Sequence, residues 1–139
     1  MKTVFFYGLF MDADMLRKKG LHPSASKVVQ VPGYSLHIGE RATLIPASQA
    51  RSYGTVMQLD EDELNLLYCD ASVKDYLPVP VTTIDNKEVT QHAISYLLPI
   101  EKLSGQNSAY AKSLATVARK LGLPEEYLDE IETWAKWPT

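Results

Sequence analysis

Apolar positions change their spacing along this chain. Short and often continuous runs fill the first hundred residues, and helical spacing takes over after that. The stretch Val4–Phe10, VFFYGLF, is apolar up to Tyr7–Gly8 and rich in aromatic and β-branched residues, which predicts a fully buried strand. Gly8 interrupts the run, and Asp12 is placed to cap a helix beginning at Ala13. Lys18 and Lys19 fall in its last turn, with Gly20 beyond. A strand running through a glycine into a helix presents backbone N–H groups that have no partner inside the helix. An anion or a polarised carbonyl could sit there; alternatively, Gly8 only lets the chain turn.

From Ser26 to His37 come Val28, Val29 and Val31, then Tyr34, Leu36 and Ile38 in alternation beyond Pro32–Gly33. This reads as two strands, or one bent strand, broken at the Pro-Gly. Gly39–Glu40–Arg41 reads as a turn, Ala42 to Ile45 as a short strand stopped by Pro46, and Ser52 to Leu59 as a further strand. Gly54 within it marks a bulge or a close backbone approach. Asp60-x-x-Glu63 is a capping box for a short helix carrying Leu64, Leu67 and Tyr68. A strand follows from Tyr76 to Ile84, placed at a sheet edge by Pro78 and Pro80, and Thr90 to Leu98 pairs back on it through an Asp85–Asn86 turn. Asn107 caps a helix whose Tyr110, Leu114, Val117, Ala118 and Leu121 share a face up to Gly122. Pro124 then opens a last helix with Leu128, Ile131 and Trp134 on one stripe. The pattern predicts one α+β domain over residues 1–139, strands first and two helices packed on at the end, with no repeat or linker.

Composition narrows the function classes. A chain of 139 residues with 45% hydrophobic and 22% charged residues has the make-up of a soluble globular domain with a core of its own. A net charge of −3 argues against nucleic acid or an anionic membrane as partner. The single cysteine, Cys69, excludes an internal disulfide and suits a reducing compartment. Lys2 precedes an apolar run, but Tyr7, Gly8 and Asp12 and the lack of a small-residue cleavage site argue against a signal peptide. A cytoplasmic location is therefore expected.

His22, His37 and His92 lie far apart, so no metal site is expected and each reads as a surface or strand histidine. Neither a Gly-x-Ser-x-Gly elbow nor a phosphate-binding loop is present, and no cofactor is implied. Cys69 has no flanking base and reads as a buried or half-buried thiol rather than a nucleophile.

Tyr7–Gly8 at the end of a first strand resembles the Tyr-Gly-Ser-type signature of the gamma-glutamylcyclotransferase-like family. Gly54-Thr55-Val56-Met57-Gln58-Leu59 is similar to that family's Gly-x-Val-Tyr-x-Leu strand. Tyr76 and Val79–Pro80–Val81 are similar to its Tyr-x-Arg-x-x-Val-x-Val strand. The order and spacing cover most of residues 3 to 100. The resemblance implies a small, strongly curved mixed β-barrel with helices around it and a cavity at the glycine of the first strand. It also implies an intramolecular reaction, in which the α-amine of a gamma-glutamyl group attacks its own γ-carbonyl and releases 5-oxoproline with a free amine or amino acid. A tethered nucleophile gains most from proximity, one carboxylate with a raised pKa suffices as base, and backbone donors suit the oxyanion.

The sequence departs from the family pattern twice. Leu9 stands where the family has a small polar residue. The family's glutamate after the short helix is missing from Leu67-Tyr68-Cys69-Asp70-Ala71-Ser72; an ungapped match puts Ala71 there and a one-residue shift puts Asp70 there. Aspartate reaches about 1.5 Å less. Asp70 is thus read either as the general base or as a turn aspartate, and Asp75 is the second choice for the base or a solvated loop residue. Tyr7, Gly8, Leu9 and Phe10 would hold the substrate at the turn. Arg41 belongs to the surface or reaches a substrate carboxylate, and Tyr76 and Tyr110 line the cavity or pack as ordinary strand and core residues. The leading expectation is cyclotransfer on a small gamma-glutamyl compound. The alternatives are a non-catalytic small-molecule binding protein on the same scaffold, which the missing glutamate favours, and a protein-interaction module with a closed barrel. The oligomeric state is not specified by the sequence.

Overall fold

The computed structural model describes residues 1–69, 73 and 75–135. Five strands close into a barrel in the order β1-β3-β2-β4-β5, built from β1 (Lys2–Phe6), β2 (Ser24–Ile38), β3 (Ala42–Leu59), β4 (Leu77–Ile84) and β5 (Thr90–Leu97). The sheet is mixed: β1 runs parallel to β5, with Val4 beside Ile94, and the other neighbours are antiparallel. Helices α1 (Ala13–Lys18), α2 (Glu61–Tyr68), α3 (Ser108–Lys120) and α4 (Glu125–Ala135) surround it. A 3₁₀ turn, Leu9–Met11, links β1 to α1.

Burial explains why the opening run lacks alternation. Val4, Phe5 and Phe6 are all buried, as are Gly54 to Met57 on the strand beside them, so these segments are covered on both faces. Phe5 meets Val56 and Phe6 meets Thr55 across the pair. Buried hydroxyls then tie the strands to their surroundings: Thr55 donates to the Met11 carbonyl at 2.8 Å, and Ser95 to the Phe5 carbonyl at 3.0 Å. Thr43 both donates to the Leu98 carbonyl (2.8 Å) and accepts from its amide (2.9 Å). Such buried polar groups are stable only when paired, and here the pairing fixes the 3₁₀ turn against the barrel.

Several expectations are corrected. Residues 42–59 form one strand rather than two. Pro46 does not end it, because Tyr34 pairs with Pro46 while Pro32 pairs with Arg51, so four residues of β3 bulge out opposite Gly33 alone. The same irregularity leaves β2 a single bent strand, with Gly33 at φ +86°. β4 pairs along its length with β5 but is in ladder register with β2 at Ile84–Gln30 alone, and this near-edge position tolerates Pro78 and Pro80. Gly54 sits in unbroken register, so it marks a close approach: a Cβ there would run into the carbonyl of Phe6. Cys69 is exposed rather than buried, its thiol 3.1 Å from the Leu66 carbonyl.

The helix caps follow the sequence. Asp12 accepts from the Asp14 amide (3.0 Å), the Asp60 amide donates to Glu63 (3.3 Å), and Asn107 accepts from the Tyr110 amide (2.9 Å). The last of these fixes the start of α3 and with it the ring of Tyr110.

Candidate active site

The chain leaves β1 at Tyr7 and passes through Gly8 into the 3₁₀ turn. Inside that turn the Met11 amide donates to the Gly8 carbonyl (3.0 Å) and the Asp12 amide to the Leu9 carbonyl (3.2 Å). The Leu9 and Phe10 amides stand ahead of these bonds and are not used within the turn. The Leu9 amide instead donates to the Tyr110 hydroxyl at 3.4 Å. Gly8 has extended dihedrals (φ −105°, ψ −154°), so its role is not to reach a left-handed conformation. A Cβ at this position would lie 2.5 Å from the Tyr110 hydroxyl oxygen. Glycine is needed because a phenol from α3 occupies that space.

Gly8→Ala should therefore push the Tyr110 ring off the Leu9 amide and lower stability by about 1–3 kcal/mol. Measured by urea titration, most of that loss should disappear when Tyr110→Phe removes the offending oxygen in the same chain. An equal loss with and without the hydroxyl would show that the close approach is not the reason for the glycine.

This junction forms one wall of a cavity of about 690 Å³, within the range of about 300–1,000 Å³ usual for small-molecule sites. All seven binding residues expected from sequence (Tyr7, Gly8, Leu9, Phe10, Arg41, Tyr76 and Tyr110) line it. Asp70 lies outside the described residues, as does Ala71. The nearest described residues on its two sides that line the cavity are Tyr68 and Val73.

Tyrosines dominate the wall. Tyr7 donates to the Tyr96 carbonyl (2.7 Å) and Tyr76 to the Ala42 carbonyl (2.6 Å). Tyr96 stacks on Tyr68 at 4.0 Å and 16°, and Phe10 meets Tyr68 edge-on at 6.1 Å. Burial raises the Tyr7, Tyr68 and Tyr76 hydroxyls well above the ordinary phenol value. Burial also pushes Tyr110 up to about 12, with the Leu9 amide opposing. At neutral pH these groups are neutral phenols, able to donate hydrogen bonds but not to act as bases.

The charged part of the cavity is the turn between β2 and β3. The Glu40 amide donates to the Ser104 carbonyl (2.7 Å), and its own carbonyl accepts from the Asn107 side chain (3.2 Å), so the turn is pinned to the chain entering α3. Arg41 is half-buried, and its Nη1 donates to Asp75 at 3.4 Å. Lys102 donates to the other Asp75 oxygen at 3.2 Å.

The hydrogen bond from Lys102, then the charges of Lys102 and Arg41, hold the Asp75 carboxyl below its ordinary 3.8. Asp75 is a partly exposed carboxylate and a counter-ion of Arg41 and Lys102, not a base poised near neutrality. A depressed carboxyl stabilises the fold above the unfolded pKa, and that contribution is lost as pH falls through the folded value. The carboxyl therefore stays ionised, and the ion pairs stay available, at every pH above the ordinary carboxylate range.

Tyr68, Tyr96 and Glu40 belong to the cavity without having been expected there. Tyr68 was legible only as an apolar helix position and Glu40 only as a turn residue. The signal available was a tyrosine where leucine or isoleucine would have filled the same space. Glu40 is the only carboxylate among the described lining residues. Among the described residues, no three His, Cys, Asp or Glu side chains gather as metal ligands. None of the helices described is long and apolar enough to cross a membrane.

A closed five-stranded mixed barrel with helices around it, and a tyrosine-lined cavity where β1 ends, is a fold that this chain shares with solved structures, a gamma-glutamyl cyclotransferase among them. The chain is similar in fold to the human protein loc79017, with 18% identity over 94% of this chain and 86% of that one, at a TM-score of 0.75. It is similar to gamma-glutamyl cyclotransferase itself, with 18% identity over 94% and 86% and a TM-score of 0.73. YkqA from Bacillus subtilis superposes at TM-score 0.75 with 18% identity over 98% of this chain and 54% of that larger one. No family model and no curated protein matches the sequence, so the likeness lies in the fold.

Proposed function

We propose that the cavity is a cyclotransfer site for a small gamma-glutamyl compound, converting it to 5-oxoproline and a free amine, with Asp70 as the general base. The observation that carries the reading is the convergence on one cavity of the β1 exit, Arg41 and the Tyr110 hydroxyl, on this fold. Arg41 is the cation for the substrate α-carboxylate. The α-ammonium gives a proton to Asp70, and its nitrogen attacks the γ-carbonyl carbon. The oxyanion that forms is met by amides of the 3₁₀ turn. The new lactam C–N bond forms, the old amide C–N bond breaks, and the protons lost by the α-nitrogen pass to the departing amine. No outside nucleophile is required, because the tethered amine already supplies the proximity that a second reactant would lack.

Tyr68 and Val73, which bracket Asp70 in sequence, both line the cavity. The non-catalytic reading rests on the family glutamate position falling on Ala71 in an ungapped match. Incubating the protein with gamma-glutamyl n-butylamide and assaying 5-oxoproline separates the two. Release supports cyclotransfer. Calorimetric binding without release would leave a binding protein on the same scaffold.

A further inference from the structure

The turn that follows β1 is joined to α3 at two places. At its start the Leu9 amide donates to the Tyr110 hydroxyl at 3.4 Å. At its end Lys120, the last residue of α3, donates to both carboxylate oxygens of Asp12 at 3.2 and 3.1 Å. Asp12 is the joint of the segment. Its amide donates to the Leu9 carbonyl (3.2 Å) and closes the 3₁₀ turn, while its Oδ1 caps α1 through the Asp14 amide (3.0 Å). Lys120 also reaches the Asp14 carboxylate at 3.1 Å, and Asp14 accepts from Arg17 at 3.0 Å. The two acids differ in setting: the Asp12 side chain is 15% exposed and that of Asp14 59%. Hydrogen bonds from Asp14 and Asp12 raise the Lys120 ammonium above its ordinary 10.5, so the cluster is ionised at neutral pH.

We infer that Lys120 is a positioning residue for the candidate site: through Asp12 it orients the turn that carries the Leu9 and Phe10 amides. The Tyr110 contact is long for a hydrogen bond and would by itself leave the turn free to rock about Leu9. A second attachment at Asp12 removes that freedom, because Asp12 is bonded into the turn through its own backbone. Tyr110 and Lys120 stand about 15 Å apart along one continuous helix, so both attachments hang on a single rigid element. The Asp14 carboxylate shares Lys120 but belongs to α1 and does not hold the turn. The consequence for catalysis rests on the cyclotransfer reading, in which these amides meet the oxyanion; the consequence for the turn does not.

Amide resonances and hydrogen exchange of the full chain report the turn whatever the activity. Asp12→Asn keeps the cap, since asparagine caps helices as well as aspartate does, and removes the charge that Lys120 holds; Lys120→Met removes the other partner. Each should shift the Leu9 and Phe10 amide resonances and speed their exchange. The double variant should add little to either single one, and Lys120→Arg should return the amides toward their wild-type positions. Asp14→Asn, which also loses a bond to Lys120, should leave both amides in place. Urea midpoints should move little in all of these, as exposed ion pairs contribute little to stability. With gamma-glutamyl n-butylamide, Asp12→Asn and Lys120→Met should lower kcat by about tenfold with little change in KM. Unmoved Leu9 and Phe10 amides in these two variants would overturn the inference, active protein or not. Equal movement in Asp14→Asn would also overturn it, by showing a general loosening of α1, as would moved amides with full kcat. Moved amides in a protein whose wild type releases no 5-oxoproline would support the attachment while removing cyclotransfer.

Discussion

Asp70→Asn is expected to lower 5-oxoproline release by about 10²–10⁴-fold, the range for removing a general base. The substitution keeps the shape and hydrogen-bonding size of the side chain but cannot accept the proton of the α-ammonium. Substrate affinity should survive, because in the proposed reading Arg41, not Asp70, takes the α-carboxylate, and the cavity wall is made by tyrosines and the β1 exit. The effect should thus fall on kcat rather than on Kd, which separates a lost base from a distorted pocket. Glu40→Gln is the necessary companion, since Glu40 is the carboxylate that the described cavity wall does contain. If Glu40→Gln abolishes release and Asp70→Asn does not, the base is Glu40, and the turn between β2 and β3 carries the chemistry.

Gly54→Ala should have the largest effect on stability, a loss at or above the upper end of the usual 1–3 kcal/mol for overpacking. An added Cβ would strike the carbonyl oxygen of Phe6 and lie 3.0 Å from its carbonyl carbon and 3.2 Å from the Phe5 ring. At Gly8 the obstacle is the tip of a side chain, which can swing away. At Gly54 it is the backbone of β1 held in register by β3, with Phe6 opposite Thr55. Relief would require β1 to separate from β3, and the strand that would move ends at the cavity. A urea midpoint lowered by less than the equivalent of about 1 kcal/mol would show that the contact relaxes locally.

Most of the fold was legible because its signals are local. Asp12, Asp60-x-x-Glu63 and Asn107 cap the helices they were expected to cap, and the continuous run at Val4–Phe6 is buried on both faces. Strand continuity was legible for β2, where one bent strand was among the readings, but not for β3. Whether Pro46 ends a strand depends on its partner, and the bulge opposite Gly33 exists only once β2 and β3 are paired. The same limit applies to the site. Tyr7 and Gly8 announce a junction, but the reason for Gly8 is a hydroxyl about a hundred residues away in sequence, at Tyr110. Arg41 reads as a surface charge or a carboxylate ligand, and Asp75 as a second-choice base or a loop residue; nothing in the sequence pairs them, and the fold sets them 3.4 Å apart. Tyr68 and Tyr96 carry no local mark of a cavity; stacking at 4.0 Å is a property of the closed barrel.

Product identity tests the central claim most directly. Wild-type protein incubated with gamma-glutamyl n-butylamide should yield 5-oxoproline and butylamine in equal amounts and no glutamate, because the attacking nitrogen belongs to the substrate. Glutamate in place of 5-oxoproline would mean that water is the nucleophile, and the tethered-amine account of this cavity would be wrong.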